Sequence, residues 1–216
     1  MVSWDQIETV LLDMDGTLLD LHFDNYFWRE HLPVKWSEKH NIGVDEAKEQ
    51  LTPRFEKIFG TMSWYCVDYW TEELKLDIMA LKNDVHHLIQ VRPHAEPFLQ
   101  FLRGTDKHVV MVTNSHEKVL EMKLKKTGID QYFDRIFSSH RLGTIKEERG
   151  FWDSLKVECH FDPARTLLID DNLTVLRAAR RYGIRHLLAI LQPDSKAARR
   201  DTAEFMAITS FEHLIP

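Results

Sequence analysis

Apolar and polar positions follow two regimes along this chain. Short unbroken apolar runs occur at Val10 to Leu12 (continuing from Ile7), His108 to Val112 and Thr166 to Ile169; their length fits strands buried on both faces of a parallel sheet. Ile136-Phe137 and Arg185 to Ile190 predict two further strands, and Phe205 to Ile208 an edge strand. Helical patterns separate them. Pro93 to Leu102 closes near Gly104, and Thr174 to Tyr182 stops at Gly183. Glu117 to Lys126 has Asn114 and Glu117 spaced like a capping box and Gly128 beyond its end, while Ser210 would cap a last helix over Phe211 to Leu214.

From about residue 20 to residue 90 the pattern changes. Aromatics are dense (Phe23, Tyr26, Phe27, Trp28, Trp36, Trp64, Tyr65, Tyr69, Trp70), charges are frequent and β-branched runs are absent. This predicts helices over Asp24 to His31, Val34 to His40, Val44 to Phe59, Met62 to Lys75 and Ile78 to Ile89, with breaks at Pro33, Asn41 to Gly43, Gly60 and near Asp77. Pro53 predicts a kink or two shorter helices in the third. The fold class expected is α/β: a doubly wound parallel sheet built from residues 1–19 and 91–216, carrying a small α-helical insert at residues 20–90. Such an insert hangs over the carboxyl ends of the strands, above Asp13.

Composition narrows the compartment and the partners. The 44% hydrophobic and 29% charged content is that of a globular domain, and no apolar run approaches membrane-spanning length. Without a signal peptide and with only Cys66 and Cys159, which lack CxxC spacing and read as buried fillers, a reducing cytoplasm is the expected location. The net charge of −6 argues against a nucleic-acid polymer as partner but permits a small anion held by local positive charge. Nothing marks an obligate protein partner. The twelve histidines show no metal-ligand spacing, and His86-His87 read as exposed or packed.

The chemistry gathers at strand ends. Asp13 and Asp15 follow the first apolar run and, two apart in extended backbone, face one small volume, with Gly16 letting the chain turn away. Two carboxylates so close repel unless a cation lies between them, which implies a hard divalent ion, Mg²⁺ by default. A calcium loop is excluded, because counting from Asp13 the required glycine and glutamate are Leu18 and Asp24. Thr113 and Asn114 end the second run, and Asp170 and Asp171 end the fourth; adjacent acids there carry electrostatic cost without structural reward.

Asp13-Met14-Asp15-Gly16-Thr17 resembles the first signature, DxDGT, of the haloacid dehalogenase (HAD) superfamily of phosphatases. That resemblance implies that Asp13 attacks phosphorus to form an aspartyl-phosphate and that Asp15 acts as general acid and base. Thr113 with Asn114 matches the second motif and would donate to a phosphoryl oxygen; Lys146 matches the third and would balance Asp13 and phosphate; Asp170 and Asp171 match the fourth. The implied metal set is Asp13, Asp15, Asp170 and Asp171, with Asp171 favoured as the direct ligand. Glu147 departs from the pattern, standing where many relatives have proline. Receiver domains are excluded by motif order and length, and dehalogenases lack a carboxylate at the Asp15 position.

Leu18-Leu19-Asp20-Leu21, Phe23 to Trp28, Trp64-Tyr65-Cys66, Asp68-Tyr69-Trp70, Pro193-Asp194-Ser195 and Leu214-Ile215-Pro216 extend the resemblance to the bacterial GMP/IMP nucleotidases, HAD phosphatases with a helical cap after the first motif. The resemblance implies Mg²⁺-dependent hydrolysis of purine 5′-nucleotides, GMP and IMP, with FMN as a side substrate. Cap aromatics could stack on a purine, with Arg29, Asn25, Lys35 or Arg54 at its polar edge and Glu30 or Asp24 as acceptors, although most of the aromatics suit the cap's own core. A sugar-phosphate phosphatase or phosphomutase of the same fold, or a nucleotide-binding protein without turnover, stays open.

Overall fold

The computed structural model describes residues 2–216. Six parallel strands, β1 (Thr9–Leu12), β2 (His108–Thr113), β3 (Arg135–Ser138), β4 (Thr166–Asp170), β5 (His186–Ile190) and β6 (Ala207–Ile208), form one sheet in the order β3-β2-β1-β4-β5-β6. Leu12 pairs with Met111 on one side and with Ile169 on the other, so β1 is central. Strand order reverses beside it, and that is where ligands bind in open α/β sheets. All four residues of β1 are buried, as its unbroken apolar run requires.

Side-chain alternation builds two apolar layers. Val10, Leu12, Val109, Met111, Leu167 and Ile169 face one cluster; Leu11, Val110, Val112 and Leu168 face the other. The second layer is closed by α10 (Arg149–Cys159) and α11 (Leu173–Tyr182) through Phe151, Trp152, Leu155, Val175 and Leu176. The sequence reading did not anticipate α10, whose Phe151, Trp152 and Leu155 lie on one helical face. The first layer packs α7 (Ala95–Arg103) and α8 (Glu117–Thr127), and its cluster continues into the helical segment with Phe23, Phe27, Trp36, Leu51 and Trp70.

That segment contains α1 (His22–Tyr26), α2 (Leu32–His40), α3 (Val44–Ile58), α4 (Met62–Tyr65), α5 (Val67–Leu74) and α6 (Ile78–Asp84). Its entry and exit cross side by side, with Arg92 N donating to Leu18 O and Asp20 N to Gln90 O, both at 2.9 Å. The expected break at Pro33 is absent. A π-helical turn at Phe27–His31 joins α1 to α2, and Leu32 N bonds back to Phe27 O. Pro33's missing N–H falls where the bonding pattern changes, so the helix passes through. Pro53 likewise lies inside a single α3. The expected Met62 to Lys75 helix divides at Cys66, which is extended and caps α5 by accepting from Tyr69 N.

The expected capping box at Asn114 and Glu117 does not form: His116 is the N-cap of α8, its Nδ1 accepting from Lys118 N, and Asn114 is engaged elsewhere. Gly128 and Gly183 end their helices in left-handed backbone as predicted. Ser210 caps a 3-10 turn over Phe211–Leu214. A short helix α9 (Ser139–Leu142) follows β3. Cys66 and Cys159 are free and only half-buried. No helix among the described residues is long and apolar enough to cross a membrane.

Candidate active site

Asp13 leaves the end of β1 with its N–H on Ile169 O at 3.0 Å, which fixes it between the ends of β2 and β4. The chain then turns at Gly16, whose φ of +83° is left-handed. A Cβ there would lie 2.8 Å from Asp171 Cγ, so this glycine lets the Asp15 and Asp171 loops approach. Thr17 Oγ1 accepts from Asp171 N at 3.1 Å and ties the two loops together.

Lys146 Nζ is buried and donates to Asp13 Oδ1 at 2.6 Å, Asp170 Oδ2 at 2.7 Å and Val112 O at 3.2 Å. Burial alone would lower its pKa, but Asp13 and Asp170 outweigh that and hold the ammonium above the ordinary lysine range. Its loop is fixed by Trp152 Nε1 on Lys146 O and by Lys146 N on Asn114 Oδ1. Asp13 Oδ2 has no hydrogen-bond partner although it is buried. Such an orphan is costly unless a ligand claims it.

Asp13, Asp170 and Asp171 each bring a carboxylate oxygen within 4.8 Å of the others. Burial pushes Asp13 up to about 6 against the pull of Lys146, and burial with its two acidic neighbours raises Asp171 well above the carboxylate range. Asp170 spends one oxygen on Lys146 and the other on Asn172 N, which leaves Asp171 as the freer ligand. Mutual repulsion among the three carboxylates and an all-oxygen donor set fit a hard divalent cation. The Asp15 carboxylate falls outside this three-acid cluster: its Oδ1 accepts from Lys123 Nζ at 2.6 Å.

Lys123 and Lys82, which sequence reasoning missed, are 1% and 2% exposed. Lys123 Nζ also reaches Asp24 Oδ2 at 2.6 Å, Lys82 Nζ reaches Asp24 Oδ1 at 3.0 Å, and Phe23, Phe27 and Trp28 give Lys82 a cation–π surround. Burial pushes Asp15 up to about 6, with Lys123 opposing and Asp24 assisting. A carboxylic acid poised there suits proton transfer near neutrality. Asp24 is thus a structural counter-ion to two lysines rather than a free acceptor for ligand.

These residues face a cleft of about 470 Å³ between the strand ends and the helical segment. Thr113, Asn114, Asn25 and Arg29 all line it. The Thr113 hydroxyl accepts from Ser115 N at 3.0 Å and keeps its own proton to donate. Asn114 uses both side-chain ends on the Lys146 loop, donating to Glu147 Oε2 at 2.8 Å. Asn25 donates to Asp194 Oδ2 at 2.7 Å, and Arg29 is exposed. Lys35, Arg54 and Glu30 lie outside the cleft, paired with Glu38, Glu73 and Lys48. Trp28, Trp64, Tyr65 and Phe59 supply the aromatic wall, whereas Phe23, Phe27 and Trp70 are buried core.

Glu147, which the sequence marks only as a departure from the motif, and Arg200, which it does not mark, both bear on the cleft. Glu147 accepts from Tyr65 Oη at 2.9 Å and Asn172 Nδ2 at 3.2 Å, so the residue that departs from the motif joins the helical segment to two strand-end loops. Arg200 lies 3.7 Å from Asp171, and its Nε and Nη2 are buried without a hydrogen bond. It lies beyond the last of the four HAD motifs, in the stretch that follows Pro193-Asp194-Ser195.

A sheet with this strand order, a DxDGT turn on its central strand and a lysine between two strand-end acids defines a class of hydrolase. The chain belongs to the haloacid dehalogenase-like hydrolases, whose family pattern matches residues 7–183. Within that family it is 38% identical, over 100% of its length and 97% of the relative's, to GMP/IMP nucleotidase YrfG of Escherichia coli. It is 27% identical to phosphoglycolate phosphatase of Nitrosococcus oceani, over 88% of this chain and 92% of that one. The crystal structure of a HAD phosphatase from Thermococcus onnurineus superposes with a TM-score of 0.79 at 24% identity, covering 96% of each chain, and speaks to the fold alone.

Proposed function

We propose that this protein hydrolyses purine 5′-nucleotides, GMP and IMP, with Mg²⁺ as cofactor and an aspartyl-phosphate on Asp13 as intermediate. The observation that carries the chemistry is the Asp13 carboxylate: one oxygen is held by Lys146, and the other is buried and free at the floor of the cleft. Asp13 Oδ2 attacks phosphorus while Thr113 donates to a non-bridging oxygen and Lys146 balances the accumulated charge. Asp15, held by Lys123, protonates the departing 5′-oxygen and then takes a proton from the water that cleaves the acyl-phosphate. Asp13, Asp170 and Asp171 would hold Mg²⁺, which supplies charge neutralisation for the carboxylates and the phosphate.

Residues 20–90 act in this reading as a cap whose Trp28, Trp64 and Phe59 meet the base, with Arg29 and Asn25 at its polar edge. The purine assignment is supported by the full-length similarity to a GMP/IMP nucleotidase and by this aromatic wall. Guanine and hypoxanthine offer an acceptor at O6 and a donor at N1, and adenine reverses both. A site built for the first pattern leaves groups unpaired with AMP at about 1–3 kcal/mol each, or roughly tenfold or more in kcat/KM. Phosphate release measured for IMP, GMP, AMP, FMN and a set of sugar phosphates under one Mg²⁺ condition tests this. IMP and GMP should lead; AMP equal to IMP would remove base reading, and a leading sugar phosphate would overturn the substrate class.

A further inference from the structure

Three side chains that the phosphatase chemistry leaves idle converge where the cap meets the strand-end loops. Cys66 stands between α4 and α5, His116 caps α8, and His140 lies in α9. One ligand atom from each lies within 4.8 Å of the other two. The imidazole centroids are 4.6 Å apart with planes at 73°. His116 Nδ1 accepts from Lys118 N, so in the neutral ring Nε2 carries the proton; a metal on Nε2 would move that proton to Nδ1 and give up the Lys118 bond. Both ring nitrogens of His140 are buried without a partner, an arrangement that costs stability unless something binds them.

We propose that Cys66, His116 and His140 form a site for a borderline-soft divalent ion, represented by Zn²⁺, and that filling it ties cap to core and slows turnover. Thiolate and imidazole select zinc, cobalt or nickel over the Mg²⁺ suited to the carboxylate cluster, so the two sites discriminate by donor type. Zn–S and Zn–N bonds of about 2.3 and 2.0–2.1 Å bring tetrahedral ligand atoms to roughly 3.3–3.7 Å of one another, inside the 4.8 Å within which the three atoms lie here. Side-chain rotation covers the difference. Binding expels the Cys66 thiol proton to solvent. Water fills the fourth position, and Asp68, with Oδ2 3.7 Å from His116 Nε2, adds negative charge beside it.

The location supplies the consequence. Cys66 belongs to the cap between Tyr65 and Val67, which line the cleft, whereas His116, also on the cleft, and His140 belong to the core, at the start of α8 and in α9. A metal bonded to all three would oppose any cap movement that admits nucleotide or releases product. This inhibitory half rests on the phosphatase reading; the binding half does not.

The test uses the full-length protein in millimolar Mg²⁺. Added Co²⁺ should give one equivalent of a sulfur-to-cobalt charge-transfer band with tetrahedral visible bands, displaced by Zn²⁺. Cys66→Ser should abolish the charge-transfer band; serine preserves an acceptor for Tyr69 N, so the variant keeps its helix cap. In turnover assays with saturating Mg²⁺, about one equivalent of Zn²⁺ should inhibit wild type. Cys66→Ser and His140→Ala should match wild type without zinc and need at least about tenfold more zinc for the same inhibition. No sulfur–cobalt band, or an unchanged band in Cys66→Ser, would overturn the site. A Cys66-dependent band with zinc inhibiting wild type and Cys66→Ser alike would overturn the regulatory half. The same band in a protein that hydrolyses no nucleotide would leave the site standing and refute the proposed function instead.

Discussion

Replacing Lys123 by methionine removes one buried charge while keeping most of the side chain's volume. The ammonium, 1% exposed, lies 2.6 Å from both Asp15 Oδ1 and Asp24 Oδ2, with the Phe23 ring centroid 5.1 Å away. Its loss leaves two half-buried carboxylates facing each other, with Lys82, 3.0 Å from Asp24 Oδ1, as the remaining cation. Breaking a buried ion pair in this way costs about 3–5 kcal/mol. Because Lys82 still balances Asp24, about 3 kcal/mol is expected for Lys123→Met, read as the shift in urea-unfolding free energy at pH 7. Turnover should fall by at least about tenfold, since Asp15 loses the partner that orients it for proton transfer. In an Asp24→Asn background the same change should cost at least about 1 kcal/mol less, because one of the facing charges is already gone. A variant within about 0.5 kcal/mol of wild type and within twofold of its turnover would refute the reasoning, since that is the effect of an ordinary surface change.

Other perturbations follow from the same geometry. Gly16→Ala places a methyl 2.8 Å from the Asp171 carboxylate in left-handed backbone; it should cost about 1–2 kcal/mol and raise the Mg²⁺ concentration needed for half-maximal activity, and an unchanged Mg²⁺ titration would contradict the loop contact. Exhaustive chelation should abolish phosphate release, Mg²⁺ should restore it, and Ca²⁺ should restore it poorly because its looser shell misplaces Asp13; full activity in chelator would refute the metal assignment. Burial would raise the Asp24 carboxyl, but Lys123 and Lys82 outweigh it and hold it far below its ordinary 3.8. Its stabilisation is therefore complete above about pH 4 and lost below, so the cost of Asp24→Asn in urea unfolding should be largest near neutrality and shrink as the pH falls below about 4.

The sequence made the strand ends legible because a parallel sheet puts its chemistry there. Asp13, Thr113 and Asp170 each follow an apolar run whose end is readable, and Lys146 could be placed by its order among them. The buried lysines Lys82 and Lys123 were not legible, since a lysine on an amphipathic helix ordinarily faces solvent. The available signal was position: Lys123 shares the buried face of α8 with Val119 and Leu120, and Lys82 lies one turn after the buried Ile78 of α6. The Cys66, His116 and His140 cluster left no spacing signal, because three separate elements meet only in the folded chain. Pro33 misled for a local reason, a π-helical turn that absorbs it, and at Pro53 α3 continues as one helix rather than two.

Rapid acid quench of turnover with IMP labelled at its phosphate tests the central claim most directly. Within the first turnover, label should appear on the protein, acid-stable and released by hydroxylamine, in the peptide that contains Asp13. Asp13→Asn should stay folded, carry no label and lose roughly a thousandfold or more in kcat. Phosphate released at the full rate with no protein-bound label, or label on a residue other than Asp13, would contradict the account.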